Sequence, residues 1–452
     1  MISAVSAVSA LLWSLAAQAA AIPACPEPGS GWCIARRFAG SIPGGELGFR
    51  FGAPLDMDGD GRADVAAGAR FKLQGTNQTG MAAVWSGANG NVIRAWDGEI
   101  PNGLFGHWAM PIPDLGHDGL ADVVIAAPLA AVDDQHHGVL VARSPKTGEE
   151  LWKHAGGGDE NLGWDLALAN DQNGDGRVDL FAGAPGGSAG HVYLLSGRDG
   201  SLLRTYGPPT GIAGFGWFVA RLEDVDGDGH ADLAVGANWE KDDAGAYVGG
   251  AFVISAASGK ELQHWKGTTH FSGFGEVVAA APDVDGDGRG DVAVASPRTN
   301  DQTRTHPGEV SLYSASKGTL LRQWSGSQPG ELYGRMIFTA GDLDGDGIDD
   351  LAIGAPWYRR GDEQRVGRVE FRSAKSGEVL GELFGAGADD WFGWHIRNAP
   401  DPDGKGRPAL LIGSLRHQVD GQPGVGVIDL YVWRRPPAQG TTTRAVRRND
   451  IK

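Results

Sequence analysis

An acidic nonapeptide recurs along this chain at nearly constant spacing, and that recurrence constrains the fold more than any other feature. The copies are DMDGDGRAD from Asp56, DLGHDGLAD from Asp114, DQNGDGRVD from Asp171 and DVDGDGHAD from Asp224. DVDGDGRGD from Asp283 and DLDGDGIDD from Asp342 follow, and then a decayed DPDGKGRPA from Asp401. Successive starts differ by 58, 57, 53, 59, 59 and 59 residues. A unit of that size cannot bury a core alone, so the 452 residues read as one closed array rather than as several independent domains.

Other parts recur in a fixed order around the nonapeptide. An aromatic–glycine pair comes first: Phe105-Gly106, Phe215-Gly216, Phe274-Gly275, Tyr333-Gly334 and Phe392-Gly393, with Leu47-Gly48 and Leu162-Gly163 as variants. After the nonapeptide a second strand ends in a GAP-like turn, as at Gly183-Ala184-Pro185 and Gly354-Ala355-Pro356. A variable loop, a third strand, a hairpin ending in glycine and a fourth strand complete the unit. That last strand finishes in Trp96, Trp152, Tyr206, Trp265 or Trp324. Four antiparallel strands per repeat describe a propeller blade, so the prediction over residues 32–435 is an all-β, seven-bladed β-propeller of four-stranded antiparallel blades. The seventh repeat has no fourth strand before Pro436-Pro437. Trp32–Phe38 is expected to supply it and close the ring, which removes the open edges that invite aggregation.

The ends of the chain carry different signals. Residues 1–24 lack Asp, Glu, Lys and Arg, and Leu11–Ala21 is largely apolar. Residues 1–21 therefore read as a secretory signal peptide, with 22–31 a short segment containing Cys25. This implies a secreted, extracellular or periplasmic protein in which Cys25 and Cys33 close a small disulfide loop. The competing reading takes Ile22-Pro23-Ala24-Cys25 as a lipoprotein cleavage box with Cys25 acylated. Residues 436–452, rich in Thr and Arg, read as a disordered tail. No later stretch is long and apolar enough for a transmembrane anchor.

The nonapeptides also carry the chemistry. Side-chain oxygens at positions 1, 3, 5 and 9 of a tight loop can converge on one point, and a hard cation such as Ca²⁺ takes six to eight oxygens. Five loops are complete: Asp56, Asp58, Asp60, Asp64; Asp171, Asn173, Asp175, Asp179; Asp224, Asp226, Asp228, Asp232; Asp283, Asp285, Asp287, Asp291; and Asp342, Asp344, Asp346, Asp350. Blade two has Gly116 at the third position, which leaves Asp114, Asp118 and Asp122 as a doubtful site. Blade seven has Lys405 and Ala409 at the fifth and ninth positions, so an ammonium is expected to replace the ion there. The formal charge of −17 argues against nucleic acid as a partner, and five divalent cations would reduce it to −7.

Aromatic–glycine, DxDxDGxxD and GAP together resemble the FG-GAP repeat, which builds the seven-bladed propeller at the head of integrin α-subunits. The resemblance covers roughly Trp32–Arg435 and implies Ca²⁺ in the loops joining the first two strands of a blade. The organisation is similar to that of secreted bacterial FG-GAP proteins.

Alternation puts the metal loops and glycine hairpins on one face and the variable loops on the other. Recognition usually sits on diverse loops of a repetitive scaffold. The ligand face is accordingly assigned to the variable side, with Trp239, Trp357, Tyr358 and Arg359 as candidate anchors. The expected function is a secreted calcium-binding adhesion or ligand-binding module for protein or carbohydrate, not an enzyme. The alternatives are a propeller-scaffold enzyme acting on polysaccharide, lyase or hydrolase, and a purely structural surface protein.

Overall fold

The computed structural model describes residues 31–74, 77–132, 135, 137–208, 212–297 and 306–434. The expected leader, Cys25 and the expected tail lie outside the described residues. The structure is all-β: seven antiparallel blades of four strands arranged in a ring. Blade three is representative, running Leu166–Asn170, Asp179–Ala184, His191–Leu195 and Leu202–Tyr206 from the axis outward. Blade seven combines both ends of the chain. Trp32–Ala39 pairs antiparallel with Val427–Trp433, from Trp32 opposite Trp433 to Ala39 opposite Val427. The N-terminal strand thus closes the ring, as the missing fourth strand of the last repeat predicts.

Position within the blade explains the strand compositions. Second strands are covered on both sides by neighbouring blades, and Asp122–Ala127, Asp179–Ala184, Asp350–Ala355 and Ala409–Ser414 are buried throughout. Outer strands such as Leu320–Ser325 are mostly exposed. Blade one departs at its innermost segment, which is reduced to isolated bridges between Phe51 and Ala67 and between Leu55 and Asp64. Pro54 lacks the N–H that a ladder needs and Gly52 weakens the strand, which accounts for the interruption.

Blade-to-blade contact explains why the two glycine motifs recur together. A Cβ on the GAP glycine Gly183 would lie 2.1 Å from the carbonyl oxygen of Gly216, which follows the aromatic of the next blade. Gly354 stands in the same relation to Gly393, at 2.2 Å. Backbone meets backbone at these contacts, and only glycine permits that approach. The outer aromatics latch the rim. Trp96 Nε1 donates to Gly148 O at 3.2 Å, Trp152 Nε1 to Gly197 O at 2.8 Å and Trp265 Nε1 to Gly318 O at 2.9 Å. Tyr206 Oη makes the equivalent bond to Ala256 O at 2.7 Å. Each joins an outer strand to the hairpin of the following blade.

Candidate functional site

In each complete nonapeptide the first aspartate folds the loop about its own carboxylate. Asp56 Oδ1 accepts from Gly59 N at 2.7 Å and Oδ2 from Gly61 N at 2.9 Å. Asp171, Asp224, Asp283 and Asp342 repeat this pattern. The ninth residue is a buried aspartate in every case. It accepts from the second residue of its loop, as Met57 N to Asp64 and Leu343 N to Asp350, both at 2.8 Å. In blades one, three and four it also accepts from the hairpin, through Gly87 N at 2.8 Å, Gly197 N at 3.1 Å and Ala256 N at 3.2 Å. Loop and hairpin therefore share one face, as alternation predicts.

These loops suit a cation on their chemistry. Three carboxylates converge within 4.8 Å in four of them: Asp56, Asp58, Asp64; Asp224, Asp226, Asp232; Asp283, Asp285, Asp287; and Asp342, Asp344, Asp350. Asp291 Oδ1 and Asp350 Oδ1 are buried with no hydrogen-bond partner among the described residues. Burial, with the adjacent aspartates adding to it, pushes Asp64 and Asp232 up to about 6 and Asp291 and Asp350 up to about 7. Oxygens that are buried, bare and reluctant to ionise are what a hard cation would relieve.

The loops differ in what else approaches their oxygens. In blade three the third position holds the amide Asn173, whose Nδ2 lies 3.3 Å from Asp175 Oδ2. In blade five Lys317 Nζ lies 2.8 Å from Asp285 and 3.2 Å from Asp287, so its exposed ammonium would swing away for an ion to enter. Blade two keeps Asp114, Asp118 and Asp122, with Lys146 Nζ 3.5 Å from Asp118. The charge held in the blade-seven loop is not the expected Lys405 ammonium. Arg407 fills that role, with Nη2 2.8 Å from Asp401 and 2.6 Å from Asp403. It holds Asp401 well below the usual carboxylate range.

The opposite face presents a feature that the sequence reading missed. The residue after each aromatic–glycine pair turns to the axis at the mouth of the ring. These residues are Phe49, His107, Trp164, Trp217, Glu276, Arg335 and Trp394. Their rings form an arc, with Trp394 to Phe49 at 5.8 Å, Phe49 to His107 at 4.9 Å, His107 to Trp164 at 5.1 Å and Trp164 to Trp217 at 4.7 Å. Trp394 also stacks on Trp391 at 5.4 Å, and Trp391 meets Trp357 at 5.7 Å. The track thus runs from the axis to a predicted anchor. Trp391 Nε1 and Trp394 Nε1 are buried without hydrogen-bond partners among the described residues. The signal was available: residues following Gly48, Gly106, Gly163, Gly216 and Gly393 are all aromatic or histidine.

A second layer lies beneath the arc. Arg50 Nη1 pairs with Asp165 Oδ1 at 2.9 Å, and Asp165 also accepts from Trp108 Nε1 and Val219 N, both at 2.9 Å. The Arg397 guanidinium lies 4.7 Å from the Phe338 ring centroid and 5.3 Å from that of Trp108. His107 and His395 are pushed well below the usual histidine range by burial and then by nearby guanidiniums.

The predicted anchors separate into two groups. Trp239 is 44% exposed and packs edge-on against Tyr247, which in turn touches the exposed Phe271. Trp357 belongs to the axial track. Tyr358 lies beneath the Arg368 guanidinium, 4.6 Å from its ring centroid, and beside Phe384. Arg359 is exposed, with its backbone pinned by Gln328 at 3.1 Å and 2.9 Å.

A family model described as FG-GAP-like repeat matches residues 171–235 and 283–353. Integrin alpha-V of Gallus gallus is 30% identical over 210 residues, covering 44% of this chain and 20% of that protein. Integrin alpha-IIb of Homo sapiens is 28% identical over 271 residues, covering 52% of this chain and 25% of that protein. The chain thus spans a fifth to a quarter of the length of these relatives. A solved structure, the crystal structure of BBS1N in complex with ARL6DN, soaked with lead, superposes with a TM-score of 0.54. It covers 90% of this chain and 98% of that one at 10% identity, a likeness of fold alone. With motifs, blades and relatives in agreement, the chain carries FG-GAP-like repeats and its ring resembles the propeller of integrin α-subunits.

Proposed function

We propose that this protein is an extracellular, calcium-stabilised propeller that binds a protein or carbohydrate ligand on the face opposite its acidic loops. The observation that carries the reading is the aromatic track from Trp217 through Trp164, His107, Phe49 and Trp394 to Trp391 and Trp357. Large aromatic surface at one face provides contact area for recognition. The integrin relatives support an adhesion-type role. Ca²⁺ in the five complete loops would brace the other face. Trp239, Trp357, Tyr358 and Arg359 would extend the contact outward, Tyr358 through the packing of its loop.

Binding is favoured over catalysis by the fate of Asp165, the aspartate beneath the aromatic arc. Asp165 is fully buried, and both its oxygens are committed to Arg50, Trp108 and Val219. It therefore cannot reach a substrate as acid or base. Glycan and protein arrays probed with the full chain test the reading. Binding should fall about tenfold or more on Trp394→Ala or Trp391→Ala, the loss expected for a hot-spot aromatic. Array signals unchanged in both variants would refute the assignment of this face.

A further inference from the structure

Beneath the aromatic layer the innermost strands enclose a second space, a cavity of about 410 Å³ lined by Leu168, Phe218, Ala279, Ile337, Phe338 and Arg397 among others. Its volume falls in the range of small-ligand pockets, about 300–1,000 Å³. None of the seven mouth residues lines it, whereas the exposed Glu223, Ala280 and Asp349 do. The cavity therefore opens on the face of the acidic loops, away from the aromatic track.

Arg397 gives this cavity its chemistry. Apart from Nη1 to its neighbour's carbonyl, Ile396 O, at 3.3 Å, its guanidinium has no hydrogen bond among the described residues. No carboxylate among them lies within ion-pair distance of it. The nearby Asp165 favours its charge only from a distance, because Arg50 holds that carboxylate at 2.9 Å. Glu276 also acts on Arg50, so Arg397 is the guanidinium left among apolar walls without a carboxylate at ion-pair distance. An unpaired charge in such surroundings is costly unless a partner of opposite sign arrives. The planar fork of a guanidinium matches a carboxylate bidentately.

We propose that the cavity is a binding site for a small organic carboxylate, its anionic end on Arg397 and its apolar body against Phe218 and Phe338. The site lies on the other side of the buried layer from the aromatic track and does not depend on the ligand proposed for that track. Glu223 at the opening is paired with Arg221 at 3.0 Å. Cations in the acidic loops would further weaken repulsion of an incoming anion.

The test is calorimetric titration of the full chain in calcium buffer with benzoate and hexanoate, against the neutral benzamide and the cationic hexylamine. At least one carboxylate should bind well above its neutral and cationic counterparts. Arg397→Gln should weaken that binding by about tenfold or more, as expected for loss of a charged bidentate partner. Ala280→Phe, which narrows the opening and leaves Arg397 in place, should weaken it too and keeps the test decisive if Arg397→Gln does not fold. Trp394→Ala should leave it unchanged. Failure of both carboxylates to bind the native chain overturns the proposal, as does native-level binding in either cavity variant.

Discussion

Gly236 has no room for a side chain. A Cβ there would lie 2.0 Å from the carbonyl oxygen of Gly275, in the backbone of the next blade. Gly275 cannot yield, because its N–H is bound to Ala295 O at 3.0 Å within its own blade. Gly236→Ala should therefore destabilise the protein by about 2–3 kcal/mol, the cost of overpacking a rigid contact. Gly381, in an outer strand, is the matched control, since a Cβ there would meet nothing within 4 Å. Gly381→Ala should be neutral or slightly stabilising, because alanine restricts the unfolded chain. Urea melts of the two variants decide it, and equal midpoints would remove the blade-contact explanation of the paired motifs. At this scale recurrence made Gly236 visible but concealed Arg407. Nothing in the nonapeptide pattern says which basic residue bends back onto Asp401 and Asp403, because that depends on the path of the loop.

The acidic loop is an element in which burial and ionisation oppose each other. Asp291 and Asp350 rise to about 7 without an ion, mainly by burial. In the unfolded chain they return to about 4. Between those values the ion-free fold holds protons that the unfolded chain has released. Its stability should therefore fall as pH rises from about 4 to 7 and stay reduced above. A bound cation reverses the sign, because it requires the ionised form and must displace those protons. Calcium should thus raise the melting temperature strongly at pH 8 and much less at pH 5.5. With dissociation constants of about 10⁻⁴–10⁻³ M and roughly 10 mM calcium, each site would contribute about 1–3 kcal/mol. Melts with calcium and with chelator at both pH values check this, and a calcium effect of equal size at the two would count against the loops as its source. The loops were legible as clusters of converging carboxylates, yet their differences were not. Lys317 and Lys146 approach from hairpins about thirty residues away in sequence, a proximity fixed only by strand register.

At the scale of the whole molecule, regular period and one missing strand made the ring and its closure readable in advance. The axial mouth was not read, although its residues sit beside the most obvious motif, because facing the axis is a property of the closed ring and not of any single repeat. Closure itself invites the strongest global test. Trp32 is fully buried, stacked 4.9 Å from Phe371 of blade six and 5.3 Å from Trp433. Arg37 makes two bonds to the buried Asp429, at 2.7 Å and 2.8 Å. A chain beginning after Ala39 would leave Asp429 without its guanidinium and expose Val427–Trp433 as an unpaired edge. An uncovered apolar edge pairs with other chains, and a buried charge stripped of its partner costs about 3–5 kcal/mol. The truncated chain should melt at lower temperature and form soluble oligomers or aggregates that grow with concentration. Light scattering and thermal melts across a dilution series measure both. A monomer with native melting temperature would mean that the ring holds without its N-terminal strand, and that the last blade is stable with three.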